Sequence, residues 1–337
     1  MSIHIEVLGE PGADNATLAQ IESGSSVKRL LFDCGSRCLD SLGVSAIQSI
    51  DHLFFSHFHM DHVCGFDSFF RLNYNRSEKP VYIWGPPGTI DVIHHRLLGV
   101  TWNLHFDQPG EWVLNEISES TVRTVRFYTR DAFEEAAFEE VKSISGALLE
   151  DPDFSISAKL LDHGSIPSVA YRIDEPVREN VDPAKLSDLG LVPGPWIREL
   201  KESTDESGTI LIDGKPWEVT ELRSQLLTQN DGGSAAYLTD FILTPGSPEW
   251  KLIAAWLEGV DVLICEAQFC DADLELAEKH SHMTAGRVAL LAKDSGVGEL
   301  LLQHVSRRYD AEGWAGMLGE GKAVFEKTIF PPHWEID

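Results

Sequence analysis

Positive charge is scarce in this sequence. Lysine and arginine together number 27 against 54 aspartates and glutamates, so the formal net charge is −27 at pH 7. A protein that binds a polyanion over a broad surface normally carries the opposite balance of charge. Acidity alone does not exclude a nucleic acid, because exposed charges act over roughly 8 Å in physiological salt and a local basic patch can still bind phosphate.

Cysteine is rare as well, and long apolar runs are absent. The five cysteines include no C-x-x-C pair of the kind found in structural zinc sites, and their odd number argues against a disulfide framework. No stretch reaches the roughly 18 uncharged apolar residues of a membrane span, and the opening residues lack the basic and apolar regions of a signal peptide. We therefore expect a soluble, cytoplasmic protein with no membrane contact.

The apolar content, 43% of 337 residues, is enough for a substantial buried core. Short apolar runs that end at glycine or at a polar residue predict strands at 3–8, 28–33, 53–55, 81–84, 234–240, 260–266 and 300–304, with further strands within 143–160. Helical spacing predicts helices at 39–48, 90–98 and 284–293, and an acidic helix at 131–142. This alternation of strands and helices places the chain in the α/β class.

The stretch 175–223 differs from its surroundings. It contains several prolines and glycines, including the run Pro193-Gly194-Pro195, together with many charges and few residues suited to a core. Core-like patterning resumes near residue 234. We therefore predict a single domain over residues 1–337 that carries 175–223 as an insertion.

A metal site is indicated by the run His57-Phe58-His59-Met60-Asp61-His62. It follows the apolar strand 53–55, and neither imidazole nor carboxylate enters an apolar interior without a partner. Zinc binds both ligand types, and the H-x-H spacing can place two imidazoles on one metal while Asp61 and His62 turn toward a second. The alternative is an ordinary solvated polar loop.

Three downstream residues strengthen the metal interpretation. His163, Asp240 and His304 each end an apolar run. Taken singly, either histidine fits an ordinary hydrogen-bonded side chain, and the aspartate fits a helix cap or a turn. Taken with the first cluster, they supply enough ligands for two metal ions that share one carboxylate.

These motifs resemble the metallo-β-lactamase superfamily and, within it, the ribonuclease Z branch, the endonucleases that trim the 3′ ends of tRNA precursors. Beyond 57–62, the resemblance includes the segments 161–163, 170–172, 237–240, 265–267, 282–285 and 303–309, so it covers nearly the whole chain. It implies an αββα four-layer sandwich with a protruding arm, and a homodimer in which each arm serves the partner's active site.

The resemblance also implies the roles of the ligands. His57, His59 and His163 would hold one divalent metal, Asp61, His62 and His304 the other, and Asp240 would bridge them. Zinc is the first candidate and manganese the second. A hydroxide between the metals would attack the phosphate, and Asp61 could also orient this nucleophile.

Two further residues match a pair specific to the branch. Glu266 would hold the imidazole of His282 so that the ring donates a proton to the leaving 3′-oxygen. The alternative is a surface glutamate and a histidine that begins a helix. Arg308 would contact a substrate phosphate, or would be an exposed, solvated arginine.

The segment 189–201 resembles the arm that grips the tRNA elbow, with Gly194 and Pro195 as its signature. Here the residues after Pro195 interleave two acids with two bases, and the loop 8–12 and the segment 34–38 also depart from the family pattern. We therefore expect cleavage of tRNA precursors, with hydrolysis of a small phosphodiester, lactone or other ester as the alternative. A metal-binding scaffold without catalysis is the third interpretation.

Overall fold

The computed structural model describes residues 3–24, 26–203 and 208–336. The chain divides into two compact units, of which the first comprises Met1–Asp174 and Gly233–Asp337 and the second Glu175–Gly232. None of the helices in the described ranges has the length and apolar content to span a membrane.

The first unit begins with an eight-stranded sheet whose strands lie in chain order. Its strands are β1 Ile3–Leu8, β2 Ala16–Ser23, β3 Ser26–Phe32, β4 His52–Phe54, β5 Val81–Gly85, β6 Glu111–Ile117, β7 Thr121–Tyr128 and β8 Phe138–Ser143. Strands β3 to β6 run parallel. Parallel neighbours need crossover connections, and the helices α1 Val44–Gln48, α2 Met60–Val63, α3 Phe66–Asn73 and α4 Thr89–Leu97 lie in them.

Alternate residues of these strands face two different cores. Leu31 and Leu53 pack with the apolar faces of α3 and α4, whereas Phe32 and Phe54 point into the core between the two sheets. This follows from the period of two along a strand. On the helical side, Trp112 is fully buried among the phenylalanines of α3.

The predicted acidic helix at 131–142 is wrong. Residues 129–131 form a short 3-10 turn, and Phe138–Ser143 forms the edge strand β8, antiparallel to β7. Nearly every side chain of β8 is exposed, so no packing against a core favours a helix there. Hydrogen bonds to β7 and the ion pair of Arg123 with Glu139 therefore decide the conformation. Strand β2 was also absent from the sequence prediction.

The chain then begins a second sheet with β9 Leu149–Glu150, β10 Ser155–His163 and β11 Ile166–Asp174. The second unit follows, with strands β12 Arg178–Val181, β13 Thr209–Ile212, β14 Lys215–Glu218 and β15 Leu227–Asn230, and helices α5 Pro183–Asp188, α6 Trp196–Glu202 and α7 Val219–Leu226. It has its own core around Trp196, Leu200 and Leu222. The unit runs past the predicted boundary at 223, because β15 returns to pair with β12.

The second sheet is completed by β16 Ser234–Leu238, β17 Val262–Glu266, β18 Glu299–Gln303 and β19 Thr328–Ile329, which are parallel to one another. Helices α8 Pro248–Trp256, α9 Leu274–Lys279, α10 Ala285–Ser295 and α11 Ala311–Val324 alternate with these strands. Their buried residues join the large core of the second sheet. The first unit is thus built of helix, sheet, sheet and helix layers.

Candidate metal centre

The histidine-rich run leaves the first sheet at the end of β4. His57 and His59 lie in the loop, and Asp61 and His62 fall in the short helix α2. The backbone N–H of Cys34 donates to the carbonyl of His62 at 2.8 Å, and that of Gly65 donates to the carbonyl of Cys34 at 2.8 Å. These bonds hold the loop against the end of β3.

The close approach of these backbones requires glycine. A Cβ at Gly35 would lie 2.5 Å from the carbonyl oxygen of Asp61, and one at Gly65 would lie 2.2 Å from the carbonyl oxygen of Gly35. No side chain fits at either position without moving the metal-site loop.

The other three ligand candidates come from the second sheet. His163 ends β10, Asp240 follows β16 and His304 follows β18. Because β16 to β18 are parallel, their carboxyl ends meet at one edge of the sheet. Asp240 and His304 both have left-handed backbones, with φ of 50° and 51°, an uncommon conformation for residues with a side chain that tends to occur at functional sites.

Asp240 lies at the centre of the cluster. Its Oδ2 is 3.6 Å from Nε2 of both His57 and His163. Its Oδ1 is 3.4 Å from Nε2 of His62 and from Nδ1 of His304. Each carboxylate oxygen thus faces a different pair of histidines, as a carboxylate shared by two ions does.

The structure brings all seven predicted ligands together in two groups. The first group is His57, His59, His163 and Asp240, and the second is Asp61, His62 and His304. Within each group the candidate ligand atoms lie within 4.8 Å of one another. The same criterion also groups His282 with Asp240 and His304, so His282 lies at the edge of the same centre.

Two buried ring nitrogens without a hydrogen-bond partner indicate that the site fits a metal. Nε2 of His57 and Nε2 of His62 are buried and have no hydrogen-bond partner. An unsatisfied buried polar atom costs about 1–3 kcal/mol, which a metal ion at this position would offset. Burial, and then the neighbouring His62, lowers the pKa of His57 to about 2, so its ring is neutral and offers a lone pair.

A buried carboxylate orients the ligands from behind. Asp33 has no solvent exposure, and its two oxygens accept from the N–H and hydroxyl of Ser56, from Nδ1 of His62 and from the hydroxyl of Tyr237, all at 2.7 to 2.8 Å. The Ser56 hydroxyl is also 3.0 Å from Nδ1 of His57. Sequence reasoning missed this role of Asp33, although the residue ends a predicted strand just as the ligands do.

Glu266 and His282 form a hydrogen-bonded pair beside the centre. Glu266 ends β17, is fully buried, and accepts from the backbone N–H of Phe241 at 2.9 Å and from Nδ1 of His282 at 2.8 Å. Nε2 of His282 lies 3.9 Å from Oδ2 of Asp240. Burial lowers the pKa of His282, but the charge and hydrogen bond of Glu266, with Asp240, outweigh it and raise that pKa to about 9. A surface glutamate is excluded by this burial.

The centre opens into a cavity of about 730 Å³, and Arg308 lines it together with Arg307, which the sequence did not single out. Gln268 and Phe269, also missed, form another part of the lining. Gly12 and its neighbours in the β1–β2 loop complete the wall, and this loop is held by two hydrogen bonds of 2.9 Å to the carbonyl of Gly9, from His333 and Trp334. Gly194 and Pro195 lie in the second unit, immediately before α6.

Comparisons with known proteins agree with this architecture. A family model described as anti-Pycsar protein Apyc1 matches residues 14–110. A ribonuclease Z of Deinococcus radiodurans is 41% identical over 328 residues, which cover 97% of each chain.

Two solved structures cover most of the chain. The metallo-β-lactamase fold protein YhfI from Bacillus subtilis has a TM-score of 0.54 at 18% identity, covering 97% of this chain and 95% of that one. Human tRNase Z, short form, has a TM-score of 0.52 at 18% identity, covering 98% and 96%. The predicted metallo-β-lactamase fold is confirmed.

Proposed function

Because the chain belongs to the ribonuclease Z family, we propose that it is a two-metal phosphodiesterase that cleaves tRNA precursors at their 3′ ends. It is a metal-dependent hydrolase of the metallo-β-lactamase fold. The proposal goes further in naming zinc as the metal, with manganese as the second candidate, and in assigning each residue its role.

Asp240 and six residues around it would hold two ions, with His57, His59 and His163 on one, Asp61, His62 and His304 on the other, and Asp240 between them. Bound there, two divalent cations supply an activated water and neutralise charge that develops on the phosphate. Asp33 keeps the rings of His57 and His62 oriented through the hydrogen bonds described above.

The observation that carries the assignment to phosphodiester cleavage is the pair of Glu266 and His282. An RNA 3′-oxygen is a poor leaving group, and it departs readily only if it receives a proton. Nε2 of His282 faces the centre while Nδ1 is held by the buried carboxylate, so the ring can hold a proton at Nε2 and deliver it there. Arg307 and Arg308 line the same cavity and are placed to contact phosphate oxygens.

Cleavage of a precursor tRNA by the metal-loaded enzyme tests the proposal. We expect a tRNA body that ends in a 3′-hydroxyl, and no cleavage by Asp61→Ala. His282→Ala should slow RNA cleavage by about 10²- to 10⁴-fold, the usual contribution of a general acid, yet barely affect bis-p-nitrophenyl phosphate, whose leaving group needs no proton. Equal losses on both substrates would contradict the role of His282.

In the proposal the second unit is the family's arm, inserted in a single domain, and the enzyme is a homodimer whose arms act in the partner's site. The unit contains the Gly194-Pro195 segment, and residues 175–232 include six lysines and arginines and twelve aspartates and glutamates. Mixing two defective chains tests this. The Asp61→Ala chain keeps its arm but has a defective site, and a chain lacking 175–232 has an intact site but no arm. Only a mixed dimer combines an intact site with a partner's arm. Recovered RNA cleavage supports action across the dimer, and no recovery after verified subunit exchange contradicts it.

The acidity of the arm favours a second candidate, hydrolysis of a small phosphodiester, lactone or other ester. Twice as many acids as bases in 175–232 weaken electrostatic attraction to RNA, because each phosphate contact gains from counterion release at a basic residue. A panel of cyclic nucleotides, lactones and bis-p-nitrophenyl phosphate tests it. Intact precursor tRNA alongside rapid turnover of one panel member would favour this candidate over the first.

A further inference from the structure

The buried histidines of the centre share one feature: each has a polar partner at Nδ1. The partner of His62 is Asp33 at 2.8 Å, that of His57 is the Ser56 hydroxyl at 3.0 Å, and that of His163 is the carbonyl of Ser281 at 3.0 Å. For His304 the nearest partner atom is Nε2 of the side-chain amide of Gln268, at 3.2 Å.

A partner at Nδ1 matters because of how imidazole binds a metal. A histidine that offers the lone pair of one nitrogen carries its proton on the other nitrogen, and that N–H needs an acceptor. Nε2 of His304 lies 3.3 Å from Oδ2 of Asp61, within the second group of ligands. Nδ1 is therefore the nitrogen that must hold the proton.

Two side chains that carry an acceptor oxygen lie close to Nδ1 of His304. Oδ1 of Asp240 is 3.4 Å away, but it already accepts from the hydroxyl of Thr239 at 2.7 Å and faces Nε2 of His62 at 3.4 Å. Gln268 is nearer. In the structure its amide nitrogen Nε2 faces Nδ1. Rotation of the amide by 180° exchanges nitrogen and oxygen, and only the oxygen accepts an N–H.

We propose that Gln268 is the positioning residue of His304: with its amide rotated by 180°, its side-chain oxygen accepts the Nδ1 proton and leaves Nε2 directed at the metal beside Asp61 and His62. The proposal rests on the two-metal function given above. It also gives the end of β17 two related tasks, because Glu266 orients His282 and Gln268, two residues later, orients His304. As an amide, Gln268 does this without adding charge to the centre.

Substitutions at 268 separate an acceptor from a space-filling side chain. Gln268→Leu removes the acceptor and should weaken binding of the metal at the second group by about 10- to 100-fold, the usual effect of losing such a partner. Gln268→Glu keeps an acceptor of the same length and should restore binding to the wild-type level or better. If the amide nitrogen also faces Nδ1 when metal is bound, Gln268 supplies no acceptor, and Gln268→Leu should bind the metal as the wild type does.

The experiment is zinc titration of metal-free protein by calorimetry with a competing chelator. Gln48→Leu is the matched control, because Gln48 is an exposed glutamine bonded to the carbonyl of Leu72 and lies outside the cavity lining. His304→Ala sets the signal for loss of the second ion. Circular dichroism in chelator checks that each variant is folded.

We expect Gln268→Leu to lose affinity for the second ion only, the ion whose loss His304→Ala reports. Gln268→Glu and the control Gln48→Leu should bind both ions with the affinity of the wild type. Wild-type affinity in Gln268→Leu, or no recovery in Gln268→Glu, overturns the proposal. Because the readout is metal affinity, a protein that shows this pattern but leaves tRNA precursors intact contradicts the proposed substrate and not the role of Gln268.

Discussion

Replacing Asp33 by asparagine should destabilise the protein and weaken its metal site at once. The carboxylate is fully buried and accepts four hydrogen bonds, three of them at Oδ2. Its φ of 57° is tolerated by asparagine, so the backbone need not change. Asp33→Asn therefore tests the side-chain charge and the second oxygen.

The size of the effect follows from the bonds. If the asparagine oxygen takes the place of Oδ2, its NH2 group faces the N–H of Ser56. Two donors then oppose each other where the Ser56 N–H now donates to Oδ1 at 2.7 Å. An unpaired buried donor costs about 1–3 kcal/mol, and the three remaining bonds lose a charged acceptor, so we expect a loss of about 3–5 kcal/mol in the free energy of unfolding. Zinc affinity should fall by about 10- to 100-fold, because His62 loses its orienting partner.

Urea unfolding in chelator measures the first effect, and zinc titration of the folded variant measures the second. Asp67→Asn is the control, since Asp67 is exposed and forms only a surface ion pair with Arg96, for which a loss of at most about 1 kcal/mol is expected. An Asp33→Asn protein with the stability and zinc affinity of the wild type would refute the reasoning.

Three further predictions concern packing, thiols and the inserted unit. Trp112→Ala should lower the free energy of unfolding by about 3–5 kcal/mol in urea denaturation, because it empties the aromatic core beneath α3, and a loss below that of a surface change would contradict the packing. Iodoacetamide with mass spectrometry should label the exposed Cys64 first; burial raises the pKa of Cys34 and Cys38, the latter to about 12, so prompt labelling of either would contradict their burial. Replacing 175–232 by a short turn should leave thermal unfolding of the first unit and hydrolysis of bis-p-nitrophenyl phosphate unchanged, because Asp174 pairs with Ser234 in adjacent antiparallel strands; loss of either would contradict the separation of the units.

The sequence could indicate the candidate ligands because four of them form one cluster after a strand and the other three each end an apolar run. His163, Asp240 and His304 are far apart in the chain, yet strand ends of one sheet meet at one edge, and the fold brings them to the first histidine cluster. Asp33 ends a strand too, but a role that depends on Ser56 and Tyr237 from other strands cannot be read from local pattern. Gln268 has no local signal, since its partner is 36 residues away.

The errors in the fold have the same physical origin. Helical spacing at 131–142 favoured a helix, but pairing with β7, a contact between segments, makes the end of that stretch a strand. The second compact unit begins at Glu175, where the composition changes, and ends at Gly232, beyond the expected end of the insertion at 223. Apolar residues of α7 face the second unit's own core, and nothing in their pattern shows to which core they belong.

The hydrogen bonds from His333 and Trp334 to Gly9 have a consequence for synthesis on the ribosome. The contact from Trp334 spans 325 residues, so the loop that carries Gly12 can be fixed only after nearly all of the described chain has been made. His304 and Asp61, 243 residues apart, meet under the same constraint. At about 5–20 residues per second, the wall of the cavity stays open for roughly 15–65 s after Gly9 is made. A nascent chain of this protein therefore has no complete cavity wall until Trp334 has been made.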